Sequence, residues 1–194
     1  MKLFLFTPFL ALGLAAGAHA QTNLLSDGDF EAFTGQVADG GYTPVNGGML
    51  GAWTVTGGVD LIRNNFGAIT DVSVDMAGTP GPGMLSQTFS AVAGMTYTLS
   101  WDLSANPPGM QLDVGFGGAT TSYAAVNGVT HQMISWTATT SGLQTVSFAA
   151  GEGYQGPVID NIMLTAAVPE PETYALMLAG LTAVGFVAGR RRRS

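Results

Sequence analysis

Hydrophobic and polar residues alternate with a period of two through most of the middle of this chain. In the segment 95–103, Met95, Tyr97, Leu99, Trp101 and Leu103 fall on one face and Thr96, Thr98, Ser100 and Asp102 on the other. That is the pattern of a half-buried strand. The same alternation sets Leu112, Val114 and Phe116 on one side of 110–116, and Val72, Val74 and Met76 on one side of 72–76. Further strands are predicted over 84–90, 132–140, 143–150 and 157–165. The Gly/Pro/Asn clusters between them (AGTPGPG, SANPPG, VNGV) are turn chemistry. No central stretch carries an apolar period near 3.6 residues. Many short alternating strands imply an all-β protein, an antiparallel β-sandwich. Its predicted interior holds Leu99, Trp101, Val114, Phe116, Trp136, Phe148, Ile162 and Leu164. Strict alternation in the last strand gives Asp160 the parity of Val158, Ile162 and Leu164, which places an acid on the core-facing side.

The two ends break this pattern. Lys2 precedes an apolar run from Leu3 to Ala16, and Ala18-His19-Ala20 supplies small residues where signal peptidase cuts. Residues 1–20 are therefore read as a secretory signal peptide with cleavage after Ala20. At the other end, residues 174–189 carry no charge and are followed by Arg190, Arg191, Arg192 and Arg193. As a helix these sixteen residues span about 24 Å, which snorkelling arginine stems extend toward a hydrocarbon core of about 30 Å. The arginines would stay cytoplasmic and leave the domain outside. Residues 21–167 form the predicted domain and 168–194 the tail.

Charge narrows the partners. Between Gln21 and Val168 eleven acidic side chains stand against one basic residue, Arg63, for a formal charge of −10 with His131 neutral. A surface of that sign repels nucleic acid and anionic lipid. The chain has no cysteine, so an exported domain would rely on its core, or on a metal, rather than on disulfides.

Blocks in a definite order carry a resemblance. NLLSDGDFEAF at 23–33, WTVTGGVDLI at 53–62, the stretch 73–107 and VIDNIMLT at 158–165 resemble the choice-of-anchor C domain and its relatives in the DUF642 group. That resemblance implies a galactose-binding-like jelly roll on a bacterial or plant surface protein. The same blocks are similar to those of carbohydrate-binding modules that hold a structural calcium. Carried over by position, Glu31 and Asp160 would be side-chain ligands, with Asp29 and backbone carbonyls completing the shell. Calcium takes six to eight hard oxygens, and chain ends that meet can supply them. The alternative for these acids is a turn shaped by Asp27 and Asp29, with Asp160 satisfied by backbone N–H groups.

The tail, with Val168, Pro169, Glu170 and Pro171 ahead of its apolar run and arginines, resembles the PEP-CTERM sorting signal of Gram-negative bacteria. The resemblance implies a membrane-embedded protease, exosortase, that cuts near the triplet. The protein would be held at the inner membrane by its helix before processing and then released to the cell surface or matrix.

For a ligand, Tyr42, Tyr123 and Tyr154 stand in Gly-rich, loop-like contexts and are candidates for stacking on sugar, whereas Trp101 and Trp136 belong to alternating strands and read as core. Catalytic signals are sparse: His131 is the only histidine outside the first twenty residues, and no nucleophile-elbow motif is present. The reading is a non-enzymatic surface or matrix protein that engages exopolysaccharide. The alternatives are a structural matrix protein without specific glycan binding and a glycan-active enzyme, which would need two acids in one cleft.

Overall fold

The structure is a computed structural model. It describes residues 22–105, 107–151, 153, 155–167, 176, 178–182, 184 and 189. The chain divides into two compact units, one of Gln21–Ala167 and one of Met1–Ala20 with Val168–Ser194. In the second unit the described residues 176, 178–182, 184 and 189 are helical. Among the described residues no helix is long and apolar enough to cross a membrane. Ala20, Val168, Pro169, Glu170, Pro171 and Arg190–Arg193 lie outside the described residues, as does Tyr154.

The first unit is built from ten strands, and every pairing between them is antiparallel. They are β1 (Tyr42–Leu50), β2 (Trp53–Arg63), β3 (Val72–Asp75), β4 (Gly83–Ala91), β5 (Thr96–Ala105), β6 (Gln111–Phe116), β7 (Ala119–Ala124), β8 (Thr130–Thr137), β9 (Gly142–Ala150) and β10 (Pro157–Ala166). A 3-10 turn, Glu31–Gln36, precedes them. The sheet runs β7-β6-β9-β4-β2-β3-β10-β5-β8, with β1 alongside β2. β1 takes one edge of β2 from Trp53 to Ile62, so β4 (at Thr54–Gly57) and β3 (at Asp60–Arg63) share the other edge. Gly57, at φ +75°, stands where the two halves of β2 part, a conformation that costs glycine little.

The sheet thereby folds into two leaves with the core between them. Trp101 on β5 meets Phe148 on β9 and Tyr123 on β7 at ring-centroid distances of 5.6 and 4.9 Å, and Phe116 on β6 meets Trp136 on β8 at 5.8 Å. Seven of the eight predicted interior residues are buried; Trp136 is half-buried and packs against the core. An antiparallel β-sandwich is what the alternation predicted.

The phase of β10 is a correction. Its pairing with β5 slips between Asp160 and Met163, and Asn161 sits there at φ +50°. Such a bulge shifts side-chain parity. Ile159 joins Ile162 and Leu164 in the core cluster, and Asp160 faces the other side of the strand. Alternation alone cannot show a bulge.

The segment before the 3-10 turn is not a strand, yet it is tied to β10. Asn23 Nδ2 donates to Ile162 O (3.0 Å), and Asn23 Oδ1 accepts from Leu164 N (2.8 Å). Gly28 O accepts from Ile162 N (2.8 Å), and a Cβ on Gly28 would stand 2.2 Å from Ile162 O. Only glycine permits that approach.

Candidate functional site

The outer face of β2, β3 and β10 carries acids that point away from the core: Asp60, Asp75 and, because of the bulge, Asp160, with Ser73 between them. They are nonetheless buried, at 6, 5, 0 and 0 % exposure. Two oxygen-rich clusters result.

The first lies under the 3-10 turn. Thr70 Oγ1 lies 2.7 Å from Glu31 Oε1, 2.5 Å from Asp160 Oδ2 and 3.3 Å from Val72 O. One hydroxyl proton cannot serve three acceptors, so these oxygens need a carboxyl proton or a cation between them. Ser73 Oγ donates to Asp160 Oδ2 (2.8 Å), and Asn161 N donates to Asp160 Oδ1 (2.7 Å). Burial pushes the Asp160 carboxyl up to about 6 against these donors, and nearby Glu31 pushes the same way. The fold thus brings Glu31 and Asp160 together. It leaves Asp29 elsewhere, exposed and lining a separate groove. Among the described residues no group of three or more His, Asp or Glu is placed to hold a metal. A hard cation fits the Glu31–Asp160 pair only with hydroxyl and carbonyl oxygens, such as Thr70 Oγ1 and Val72 O, completing its shell.

The second cluster is open. A pocket of about 170 Å³ is lined by Tyr42, Asp60, Ile62, Phe66, Asp75, Thr79 and Gln155. Asp60 and Asp75 are direct cross-strand partners. Asp60 Oδ1 accepts from Thr79 N (3.0 Å), Asp60 Oδ2 accepts from Thr79 Oγ1 (3.1 Å), and Asp75 Oδ1 accepts from Ala77 N (2.9 Å). Burial pushes the Asp75 carboxyl up to about 7, and the charge of Asp60 adds to this; the Ala77 N–H opposes it. Above the acids Tyr42 and Phe66 meet edge to face, with centroids 5.8 Å apart. Phe66 is held there in left-handed backbone (φ +56°) by a loop tied down through Asn64 to Asp39 (2.7 Å) and Arg63 to Asp71 (2.9 Å).

Of the three tyrosines, Tyr42 opens β1, half exposed at this pocket, and is not in a loop as the glycine context suggested. Tyr123 is also a strand residue, in β7, and its ring packs edge-on against Trp101. Glycines around both positions serve the strand ends and bulges. Sequence reasoning did not find Asp60, Phe66 or Asp75. The available signal was the D of VDLI and of VSVD, but their meeting depends on a register that only the fold supplies.

A third feature, a groove of about 420 Å³, lies on the outer face of β10 and β5 and includes Asp29, Ser100, His131, Asn161 and Met163.

The profile of the family described as "Protein of unknown function (DUF642)" matches residues 23–165, and that of the PEP-CTERM protein-sorting motif matches residues 167–193. No curated protein matches the chain. Among solved structures, the carbohydrate-binding module TmCBM61 in complex with beta-1,4-galactotriose is 17% identical. It covers 75% of this chain and 99% of its own, with a TM-score of 0.49. A family 16 carbohydrate-binding module is 16% identical over 74% of this chain and 99% of its own, with a TM-score of 0.47. A putative sugar binding protein from Bacteroides thetaiotaomicron is 12% identical over 75% and 100%, with a TM-score of 0.39.

Proposed function

The chain belongs to the DUF642 family and ends in a PEP-CTERM sorting motif that marks it for export and surface sorting, and from this we propose that it is a non-enzymatic surface or matrix protein whose pocket at Tyr42, Asp60, Phe66 and Asp75 binds exopolysaccharide. One observation carries the reading: an aromatic pair stands over two buried carboxylates in an open pocket. Sugars present apolar C–H faces to aromatic rings and hydroxyl donors to carboxylates, and this site offers both. Exosortase and signal peptidase are the processing partners of this reading, with cuts near Pro169–Pro171 and after Ala20. Calcium at Glu31 and Asp160 would be a structural ion, held in the cluster under the 3-10 turn by residues other than those lining the pocket.

The glycan-active alternative has an observation in its favour, since Asp60 and Asp75 do share a pocket. Against it, both oxygens of Asp60 are already engaged by Thr79. The test is one experiment on mature protein purified from a host with its sorting system, its ends read by mass spectrometry. Titration with exopolysaccharide fragments should show saturable binding, weakened about tenfold or more by Tyr42→Ala at unchanged melting temperature, which is the effect of losing about 1.4 kcal/mol. Absence of binding sinks the proposal, and release of new reducing ends replaces it with the enzymatic reading.

A further inference from the structure

The groove on the outer face of β10, β5 and β8 has a chemistry of its own. Met163 pairs with Ser100 and Ser100 pairs with Met133, so these side chains form one row across three strands. In the next row Asp102 pairs with His131. Neighbouring strands lie about 4.8 Å apart, so the two methionines are separated by about 10 Å, with only a serine between them. Each has a long, unbranched side chain able to lean over that gap. Met133 is 66% and Met163 43% exposed, unusual for apolar side chains, while Ser100 beneath them is 7% exposed.

His131 is already oriented. Its Nδ1 lies 2.8 Å from Asp102 Oδ1, and Asp102 Oδ2 accepts from Asn161 Nδ2 at 2.9 Å. An ionised carboxylate only accepts, so the neutral ring carries its proton on Nδ1 and its lone pair on Nε2. That is how a second carboxylate shell prepares an imidazole for a metal. Thioethers and imidazole together are soft-to-borderline ligands, the set that selects copper(I) over hard cations. The chain has no cysteine to compete, and Asp27 and Asp29 on the groove's rim add negative charge.

We propose that His131, Met133 and Met163 bind one soft monovalent metal ion, copper(I) or its non-redox analogue silver(I), with Asp102 as the positioning residue for His131. None of its ligands belongs to the glycan pocket or to the Glu31–Asp160 cluster, which offers only oxygen.

The test is titration of the full-length protein with silver(I), read by affinity and by the spectra of protein carrying ¹³C-methyl-labelled methionine. One equivalent should bind, with the methyl signals of Met133 and Met163 moving and an excess of calcium failing to displace it. Met133→Leu and Met163→Leu conserve volume, so they should leave the melting temperature unchanged. Each should weaken binding about tenfold or more, as should His131→Ala. Asp102→Asn should weaken it by about 10–100-fold, the range for outer-shell partners, at an unchanged melting temperature. The proposal is overturned by absence of micromolar binding, by shifts confined to other methionines, or by an affinity that His131→Ala leaves unchanged.

Discussion

Where β3 lies beside residues 158–160 of β10, both faces are buried, and they differ in material. Val72, Val74 and Ile159 turn into the sandwich among Leu, Phe and Trp, whereas Ser73, Asp75 and Asp160 turn outward and are 0, 5 and 0 % exposed. Inward burial is favourable by itself, at about 25 cal/mol for each Å² of apolar surface removed from water. Outward burial removes solvation from charge and has to be met by donors. The chain meets it locally: Thr70, Ser73 and the Asn161 N–H serve Asp160, and the Ala77 N–H serves Asp75. A sheet face with no chemical task would leave such positions in water. Here the 3-10 turn and the loop bearing Phe66 cover them, which is why the oxygen clusters are the place to look for ligands.

The inner face can be broken hardest. Trp101 is fully buried, with rings on two sides, so Trp101→Ala should cost about 3–5 kcal/mol in a denaturant titration. Its indole N–H is the one buried side-chain donor without a partner among the described residues. Trp101→Phe should therefore cost far less, because it also removes a desolvated donor that is worth about 1–3 kcal/mol against folding. A loss below about 1 kcal/mol for the alanine variant would mean that the two leaves do not close on this ring.

The closed outer cluster gives the next effect. If calcium occupies the oxygens at Glu31 and Asp160, thermal melts of residues Gln21–Val168 should rise with calcium and not with magnesium, which prefers a smaller octahedral shell. At about 100 times the dissociation constant the gain is about 2.7 kcal/mol. Glu31→Gln should remove most of the gain while leaving the chelated protein nearly as stable. Identical melts with calcium, magnesium and chelator would mean that hydroxyls and a proton are all this cluster holds.

How much of this was legible depended on whether one face of a strand met water. β5, with Thr96, Thr98 and Asp102 outward, announced itself, as did β6, β8 and β9. β1 was hidden by Pro44, which pairs in register with Asp60, and by Asn46, Gly47 and Gly48, which read as turn residues but sit at an irregularity in its pairing. β2 is interrupted by Gly57-Gly58 and then buried on both faces from Val59 to Ile62, so no alternation survives. β7 has no fully buried side chain at all. The approach of Glu31 to Asp160 was legible through resemblance. The Asp60–Asp75 pair was not, because it arises from register between strands rather than from spacing along them.

The open outer cluster should give the smallest effect, and one whose sign separates it from the core. Asp75 has a folded-state carboxyl pushed up to about 7 from a model-compound value of 3.8, chiefly by burial. In the folded protein it therefore holds a proton that the unfolded chain has already released. The stability linked to that proton is complete below about pH 4 and is lost as pH rises toward 7. Chelated protein should accordingly lose stability between pH 5 and 7.5, the reverse of a protein held by salt-bridged carboxylates. Asp75→Asn keeps the shape and an acceptor for the Ala77 N–H while removing the charge. At pH 7.5 it should stabilise the protein by about 1 kcal/mol, since a weaker neutral hydrogen bond offsets part of the relief. Below about pH 4, where Asp75 is neutral in both the folded and the unfolded chain, the same change should do almost nothing. A variant equally stabilised at both pH values would show that shape, not charge, is at issue, and a destabilised one at pH 7.5 would show that Asp75 is solvated through the open pocket. A core substitution such as Trp101→Ala should show no such pH dependence, and that contrast distinguishes a face buried for packing from a face buried around oxygen.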